Sequence, residues 1–276
     1  MLVKLTCSKP TTSRRDKEAE TIIQHQLSDT SLVVSQMLFK DKNNPVRRCI
    51  NDAGEVYSYH TAHTLPWADR GPRMLPVDQY DAYSTEMRRL VNNVESSVAR
   101  LMPLYDNLVQ ADIAQRGARA AISDYPTAEE FKQKMAFHFL FSPLPDASHF
   151  LFDVSDEDKA ALTQQIEDAE KQAKLDVAAR IHDPLMHLVR KLSVPIGTDG
   201  AIFRDSAITN VTEACDIVAQ LAMGDESVLA VVAEVKASMR AIVTAPSTVR
   251  EQPAAREAAA ASLKAVADRM SFLFAN

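Results

Sequence analysis

Glycine is scarce in this chain, which contains only 6 glycines in 276 residues. Glycine provides the positive φ angles and close backbone approaches that phosphate-binding loops, tight hairpin turns and nucleophile elbows require. None of these glycines falls into the spacing of a phosphate loop or an elbow. The scarcity therefore favours long helices with few interruptions, and any function has to be argued from other residues.

Apolar residues recur at helical spacing over most of the chain. Between Leu162 and Leu192, nine apolar positions follow one another at steps of three or four, behind a Ser155 N-cap. A second stripe predicts a helix over 78–116, in which Pro103 should cause a kink. The other predicted helices cover 14–28, the LVVSQMLF stretch after Ser31, 44–63, 127–134, 203–223, 225–244 and 248–274.

Three short segments predict strands instead. Residues 2–8 alternate apolar and polar side chains, which is the period of a half-buried strand. Residues 135–142 and 148–154 are rich in Phe and Leu and flank a proline-containing turn, SPLPDA. The sequence thus predicts a mostly α fold, in which long antiparallel amphipathic helices and a small antiparallel β-sheet form a single domain over 1–276.

Net charge and cysteine content indicate the cellular setting. The chain is 46% hydrophobic and 25% charged, close to an ordinary soluble protein, and its net charge is -6. The three cysteines are odd in number and far apart, which is typical of free thiols in a reducing compartment. No apolar run approaches the roughly 20 residues of a membrane helix. We therefore expect a cytoplasmic protein without a membrane segment.

Positive charge is concentrated near the N-terminus. Residues 1–48 contain nine Lys and Arg against five acids, a balance of +4, so the remainder of the chain carries -10. Arg14, Arg15, Arg47 and Arg48 are therefore candidates for nucleic-acid contact. The alternative is an ordinary solvated surface, and the negative net charge argues against a protein dedicated to coating nucleic acid.

A pair of histidines raises the question of a metal site. His60 and His63 share one face of the predicted helix, at a spacing suited to metal binding. Cys49 lies about three helical turns away and cannot join them on a continuous helix. A packed or exposed histidine pair is the alternative. No local Ser/His/Asp or Cys/His signature points to an enzyme.

The segment 64–76, TLPWADRGPRMLP, is predicted to be an ordered loop stiffened by proline. It contains the only tryptophan, Trp67, with Asp69, Arg70 and Arg73 close by. Because tryptophan and arginine are enriched in binding hot spots, these four residues form the candidate contact surface. In the alternative interpretation Trp67 plugs the loop onto the core, and Asp69 pairs with an arginine.

Several segments resemble a family of bacteriophage and prophage proteins that is defined only as a domain of unknown function. They are LVKLTCSKPTTSRRD, TLPWADRGPRMLP, DYPTAEEF followed by FLFSPLP and FLFDVSDED, and FRDSAITNVTEACDIVAQL. Residues 44–63 and the alanine-rich C-terminus depart from the family pattern. In phage genomes the family tends to lie near a MoxR-type AAA+ ATPase and a von Willebrand A-domain protein.

The resemblance implies a role beside that ATP-driven pair in an infected bacterium, as an adaptor or client, and it supplies no catalytic residues. The chain has no Walker motif, so ATPase activity would belong to the partner. We therefore predict a non-enzymatic protein that acts through protein–protein contacts, takes no cofactor and forms homo-oligomers. A nucleic-acid-binding protein and a metal-dependent enzyme are the alternatives.

Overall fold

A computed structural model describes residues 1–8, 10, 12–27, 31–67, 71–117, 120–145, 155–198 and 202–270. The helices among these residues are α1 Lys17–Leu27, α2 Pro45–Ala62, α3 Tyr80–Leu101, α4 Tyr105–Arg116, α5 Ala128–Lys134, α6 Asp156–Ser193, α7 Asp205–Leu221, α8 Glu226–Thr244, α9 Pro246–Glu251 and α10 Pro253–Arg269. The strands are β1 Leu2–Cys7, β2 Ser13–Arg15, β3 Ser35–Met37, β4 Leu65–Pro66, β5 Arg73–Met74 and β6 Phe137–Ser142. The chain is therefore mostly α with a small antiparallel sheet, as predicted.

The chain divides into two compact units, each assembled from separate stretches of sequence. Unit 1 comprises Met1–Lys4, Thr61–Tyr80 and Phe141–Asn276, and unit 2 comprises Leu5–His60 and Asp81–Leu140. The single domain over 1–276 stays a prediction. Each unit has its own helices and its own buried side chains, and each is described separately below.

Unit 1 is built around a four-helix bundle. Helix α6 packs against α7 and α10, and α8 packs against the same two helices, so the four helices enclose one core. The predicted stripe of α6 supplies much of that core, since Ile181, Leu185 and Leu188 are fully buried. The helix continues through Pro184 up to Ser193.

The small sheet in unit 1 uses a segment that was predicted to be a loop. Strand β5 pairs antiparallel with β4 on one side and with the start of β1 on the other. Met74 lies opposite Leu65 in the first pair and opposite Leu2 in the second. Within the 64–76 segment, Leu65–Pro66 and Arg73–Met74 are thus paired strands, and the predicted strand at 148–154 lies outside the described residues.

Unit 2 contains α1, α2 as far as His60, α3 from Asp81, α4, α5, the end of β1 and most of β6, whereas the last two residues of α2 belong to unit 1. Its 18-residue helix α2 confirms the helix predicted over 44–63, with Asn44 accepting a hydrogen bond from the Val46 amide at 2.9 Å. The predicted helix over 78–116 is wrong as one helix, because a 3₁₀ turn at Met102–Leu104 separates α3 from α4. Pro103 explains the break, since proline lacks the amide hydrogen and its ring clashes with the preceding turn.

A second correction concerns the predicted helix after Ser31, because this stretch contains the strand β3 at Ser35–Met37 and no helix. Exposure alternates along this stretch, so that Val33, Ser35 and Met37 are exposed while Leu32, Val34 and Gln36 are half-buried. This period of two suits a strand on a half-buried surface, and the β-branched pair at positions 33 and 34 favours it further.

The burial of Ile181 leads to a stability prediction. We expect Ile181→Ala to lower the free energy of unfolding by about 2–5 kcal/mol, because it leaves a cavity in the bundle core. The matched control is Ile202→Ala, since Ile202 is 85% exposed and should cost less than about 0.5 kcal/mol. Urea denaturation followed by circular dichroism measures both, and equal losses would contradict the assigned core.

Candidate functional site: a two-stranded ribbon and its outer face

Trp67 lies in the core of unit 1. Its side chain is only 8% exposed and belongs to the same apolar cluster as Leu65 and Met74 from β4 and β5. This geometry supports the alternative in which Trp67 plugs the segment onto the core. Asp69 and Arg70 lie outside the described residues, so the contact surface proposed for this segment stays a prediction.

Arg73 and Arg180 converge on the carboxyl end of α2. Arg180 donates from Nη2 to the carbonyl oxygens of Thr61 at 2.9 Å and Thr64 at 2.7 Å, and from Nη1 to that of Ala62. Arg73 donates from Nε to Thr64 Oγ1 at 2.7 Å and from Nη2 to the Thr64 carbonyl at 2.9 Å. The last carbonyl groups of a helix have no hydrogen-bond donors within the helix, and here two guanidinium groups donate to them.

This arrangement gives Arg180 a measurable structural role. Arg180→Met keeps the apolar part of the side chain and removes its donors, so we expect the free energy of unfolding to fall by about 1–3 kcal/mol. Arg190→Met on the exposed face of the same helix is the control and should change stability little. Thermal unfolding measures both variants, and equal stability of the two would contradict the capping role.

Trp67→Ala tests whether Trp67 is a core residue or a contact residue. We expect this change to lower the free energy of unfolding by about 3–5 kcal/mol, because it empties a buried indole site. Binding of a partner, measured per folded molecule, should remain unchanged. Retained stability together with lost binding would instead support Trp67 as a contact residue.

Strands β2 and β3 form a two-stranded ribbon in unit 2. Three of the four N-terminal arginines lie on this ribbon or contact it. The ribbon pairs antiparallel in the register Ser13↔Met37, Arg14↔Gln36 and Arg15↔Ser35. Residues directly opposite each other in such a ladder share a face. The ribbon therefore has an inner face with Arg14 and Gln36, and an outer face with Ser13, Arg15, Ser35 and Met37.

The inner face is held to the rest of unit 2 by charged groups. Arg14 forms an ion pair with Asp124. Gln36 donates to the Asp16 carboxylate through its amide nitrogen and accepts from Arg116 through its amide oxygen. These contacts come from both ends of unit 2 in sequence, so they fix the ribbon's orientation within that unit.

A buried carboxylate anchors the chain immediately after β3. Asp112 Oδ2 accepts from the Tyr125 hydroxyl at 2.6 Å and from the Phe39 amide at 3.2 Å, with Arg116 Nη1 at 3.8 Å. The Phe39 ring contacts Tyr125 edge-on at 5.3 Å. Sequence reasoning missed Asp112, although it lies seven residues after the buried Tyr105, where the helical period would have placed it in the core.

The outer face combines apolar and basic side chains. Val33 and Met37 are 60% and 50% exposed, respectively. The Arg47 guanidinium contacts the Met37 sulfur, and Arg15 donates from Nε to Glu20 at 2.7 Å. This hydrogen bond lowers the pKa of Glu20, so the pair is ionised at neutral pH. Arg48 is the exception among the predicted arginines, because it lines a cleft elsewhere in unit 2.

The two histidines of the hypothetical metal site have different surroundings. His60 is buried in the last turn of α2, and its Nδ1 lies 2.7 Å from the Tyr83 hydroxyl. His63 follows the end of that helix and is half-buried. Across the part of the chain that the structure describes, no group of three or more His, Cys, Asp or Glu residues could hold a metal ion. His60 is therefore explained as a packed, hydrogen-bonded histidine.

No family model matches this chain, and comparison with curated proteins and with solved structures finds no match either. The resemblance to a phage family therefore stays a prediction. No described helix combines the length and the apolar character that crossing a membrane requires. The geometry of the ribbon is thus the main basis for a functional argument.

Proposed function

We propose that this chain is a non-enzymatic protein that acts through contacts with another protein, and that the outer face of the ribbon is its contact surface. The observation that carries the proposal is the exposure of Val33 and Met37 beside Arg15 and Arg47. Exposed apolar side chains next to arginine are typical of the centre of protein interfaces, where Met and Arg are enriched.

The anchoring of the ribbon supports this proposal. Its inner face is fixed by Arg14 and Gln36, so the outer face is held in one orientation before a partner arrives. A preformed surface loses less conformational entropy on binding than a mobile one. Within the described residues each strand of this ribbon pairs only with the other, which leaves main-chain groups for an added strand.

The charges of this surface indicate the chemistry of its partner. The described residues show no ion pair for Arg47, whose guanidinium contacts only the Met37 sulfur. An extended acidic segment with one or two apolar side chains would pair with Arg47 and cover Met37 and Val33. We therefore propose an acidic, partly apolar strand as the partner element.

The phage resemblance suggests which protein carries that element. In this proposal the chain is an adaptor or client of a MoxR-type AAA+ ATPase and a von Willebrand A-domain protein in an infected bacterium. ATP hydrolysis would belong to the partner, and the chain would supply a recognition surface. The second proposed contact is between copies of this chain, in a homo-oligomer that uses the same outer face.

Substitutions on the outer face test the proposal. We expect the double change Val33→Asp and Met37→Asp to weaken binding to the purified ATPase at least about tenfold, because it places charge on the apolar part of the surface. Ile202→Asp is the matched control, since Ile202 is also exposed but lies in unit 1. Biolayer interferometry measures affinity, and sedimentation velocity measures self-association. Unchanged affinity and unchanged association in the double variant would reject the outer face.

Nucleic-acid binding is distinguished by its dependence on salt and charge. If the ribbon bound DNA or RNA, affinity would fall steeply with salt concentration. Arg15→Gln and Arg47→Gln would each reduce that affinity. Charge repulsion from the two new aspartates would also reduce it, so the salt dependence of the unmodified protein is the decisive measurement.

A further inference from the structure

A polar cleft of about 590 Å³ lies in unit 2, away from the ribbon's outer face. It is formed by the first half of α2, the preceding residues and the end of α3. Its volume falls within the range of roughly 300–1,000 Å³ that is typical of small-molecule sites. The cleft is lined mainly by charged and amide side chains, so its ligand should be polar.

Three cations line the cleft: Lys42, Arg48 and Arg100. Among the described residues, neither Lys42 nor Arg48 forms an ion pair or a side-chain hydrogen bond, and Arg100 donates to Ser97 Oγ at 3.1 Å. Arg48 from α2 and Arg100 from α3 thus contribute two guanidinium groups to the same cleft. Converging guanidinium groups are the usual means of binding phosphate or carboxylate.

The first turn of α2 has no carboxylate to complement the positive end of the helix. It contains no acidic residue, although the positive end of a helix favours carboxylates, and it contains Arg47 and Arg48. Arg48 therefore lies where the backbone of α2 already contributes positive potential, and an anion bound beside it would be favoured by both. Arg100 lies in the last turn of α3 and faces the same cleft.

Hydrogen-bond acceptors line the same cleft, and Ser97 links one of them, Asp52, to Arg100. Asp52 accepts from the Ser97 hydroxyl, and Glu55 lies one turn further along α2, where its side chain is exposed. Carboxylates in a cleft that also holds cations are suited to a ligand with hydroxyl groups as well as a negative charge. Cys49 is not a nucleophile here, because burial raises the pKa of its thiol to about 11 and keeps it protonated at neutral pH.

We propose that this cleft binds a small phosphate monoester that also carries hydroxyl groups. The phosphate lies between Lys42, Arg48 and Arg100, and the hydroxyl groups donate to Asp52 and Glu55. The site is for binding, with no bond made or broken. It is separate from the protein-contact surface, so either proposal can fail without the other.

Isothermal titration calorimetry with three probes tests the ligand class. We expect ribose 5-phosphate to bind more tightly than inorganic phosphate, and ribose alone to give no binding heat. Tighter binding of inorganic phosphate than of the ester would reject the hydroxyl contacts. An absence of binding for both phosphate probes would reject the site.

Adjacent arginines supply a matched pair of variants. Arg48→Gln should weaken binding of ribose 5-phosphate at least about tenfold, because it removes a charge-assisted contact. Arg47→Gln removes the same charge one residue earlier, at a side chain outside the cleft lining. The affinity of this variant for ribose 5-phosphate should stay within about twofold of the unmodified protein's. Equal losses in the two variants would show a diffuse charge effect and overturn the proposal.

Two further measurements complete the test. Lys42→Gln is a second cleft variant, on an exposed residue before α2, and it should also weaken binding of ribose 5-phosphate. Unchanged affinity in both Lys42→Gln and Arg48→Gln would overturn the site.

A single-stranded oligonucleotide serves as the competing ligand. If it binds more tightly than ribose 5-phosphate and loses at least as much affinity in Arg48→Gln, the positive charge serves nucleic acid and the small-molecule site is rejected.

Discussion

Unit 1 depends on arginine side chains that donate hydrogen bonds to the backbone carbonyl groups at the carboxyl ends of helices. Arg73 and Arg180 do this at the end of α2. At the end of α6, Arg256 donates from Nε to the Leu192 carbonyl at 3.0 Å and from Nη2 to that of Lys191 at 2.5 Å. Arg256 is only 4% exposed, and burial lowers its pKa, yet the guanidinium remains charged because its usual pKa is so high.

These contacts explain how a chain with so few glycines ends its long helices. Helix α4 ends at a glycine, Gly117, which has a positive φ of 63° and an amide bonded to the Ile113 carbonyl. Helices α2 and α6 are followed by His63 and Val194, which do not favour that conformation. A guanidinium group reaches their carbonyls from elsewhere and also ties the helix end to another segment, which a glycine cannot do.

Local signals in the sequence were sufficient for most of the helices, but not for these contacts between a helix end and a distant arginine. The stripe from Leu162 to Leu192 and the caps at Ser155 and Thr127 depend on residues within a few positions of each other, so a single sequence reveals them. Arg180 bonds to carbonyls 116 to 119 positions away. No periodicity encodes such a partner, and for the same reason the pairing of Arg73–Met74 with the start of β1 was not predicted.

The candidate surfaces were predictable only in part, and the reason lies in neighbouring residues of α2. Composition identified Arg47 and Arg48 as one basic region. On a helix, however, consecutive side chains point about 100° apart, because there are 3.6 residues per turn. Arg47 consequently contacts Met37 beside the ribbon, whereas Arg48 lines the cleft with Arg100. A charge count treats two such residues as equivalent, but the helix assigns them to different surfaces, and each surface then has its own partner chemistry.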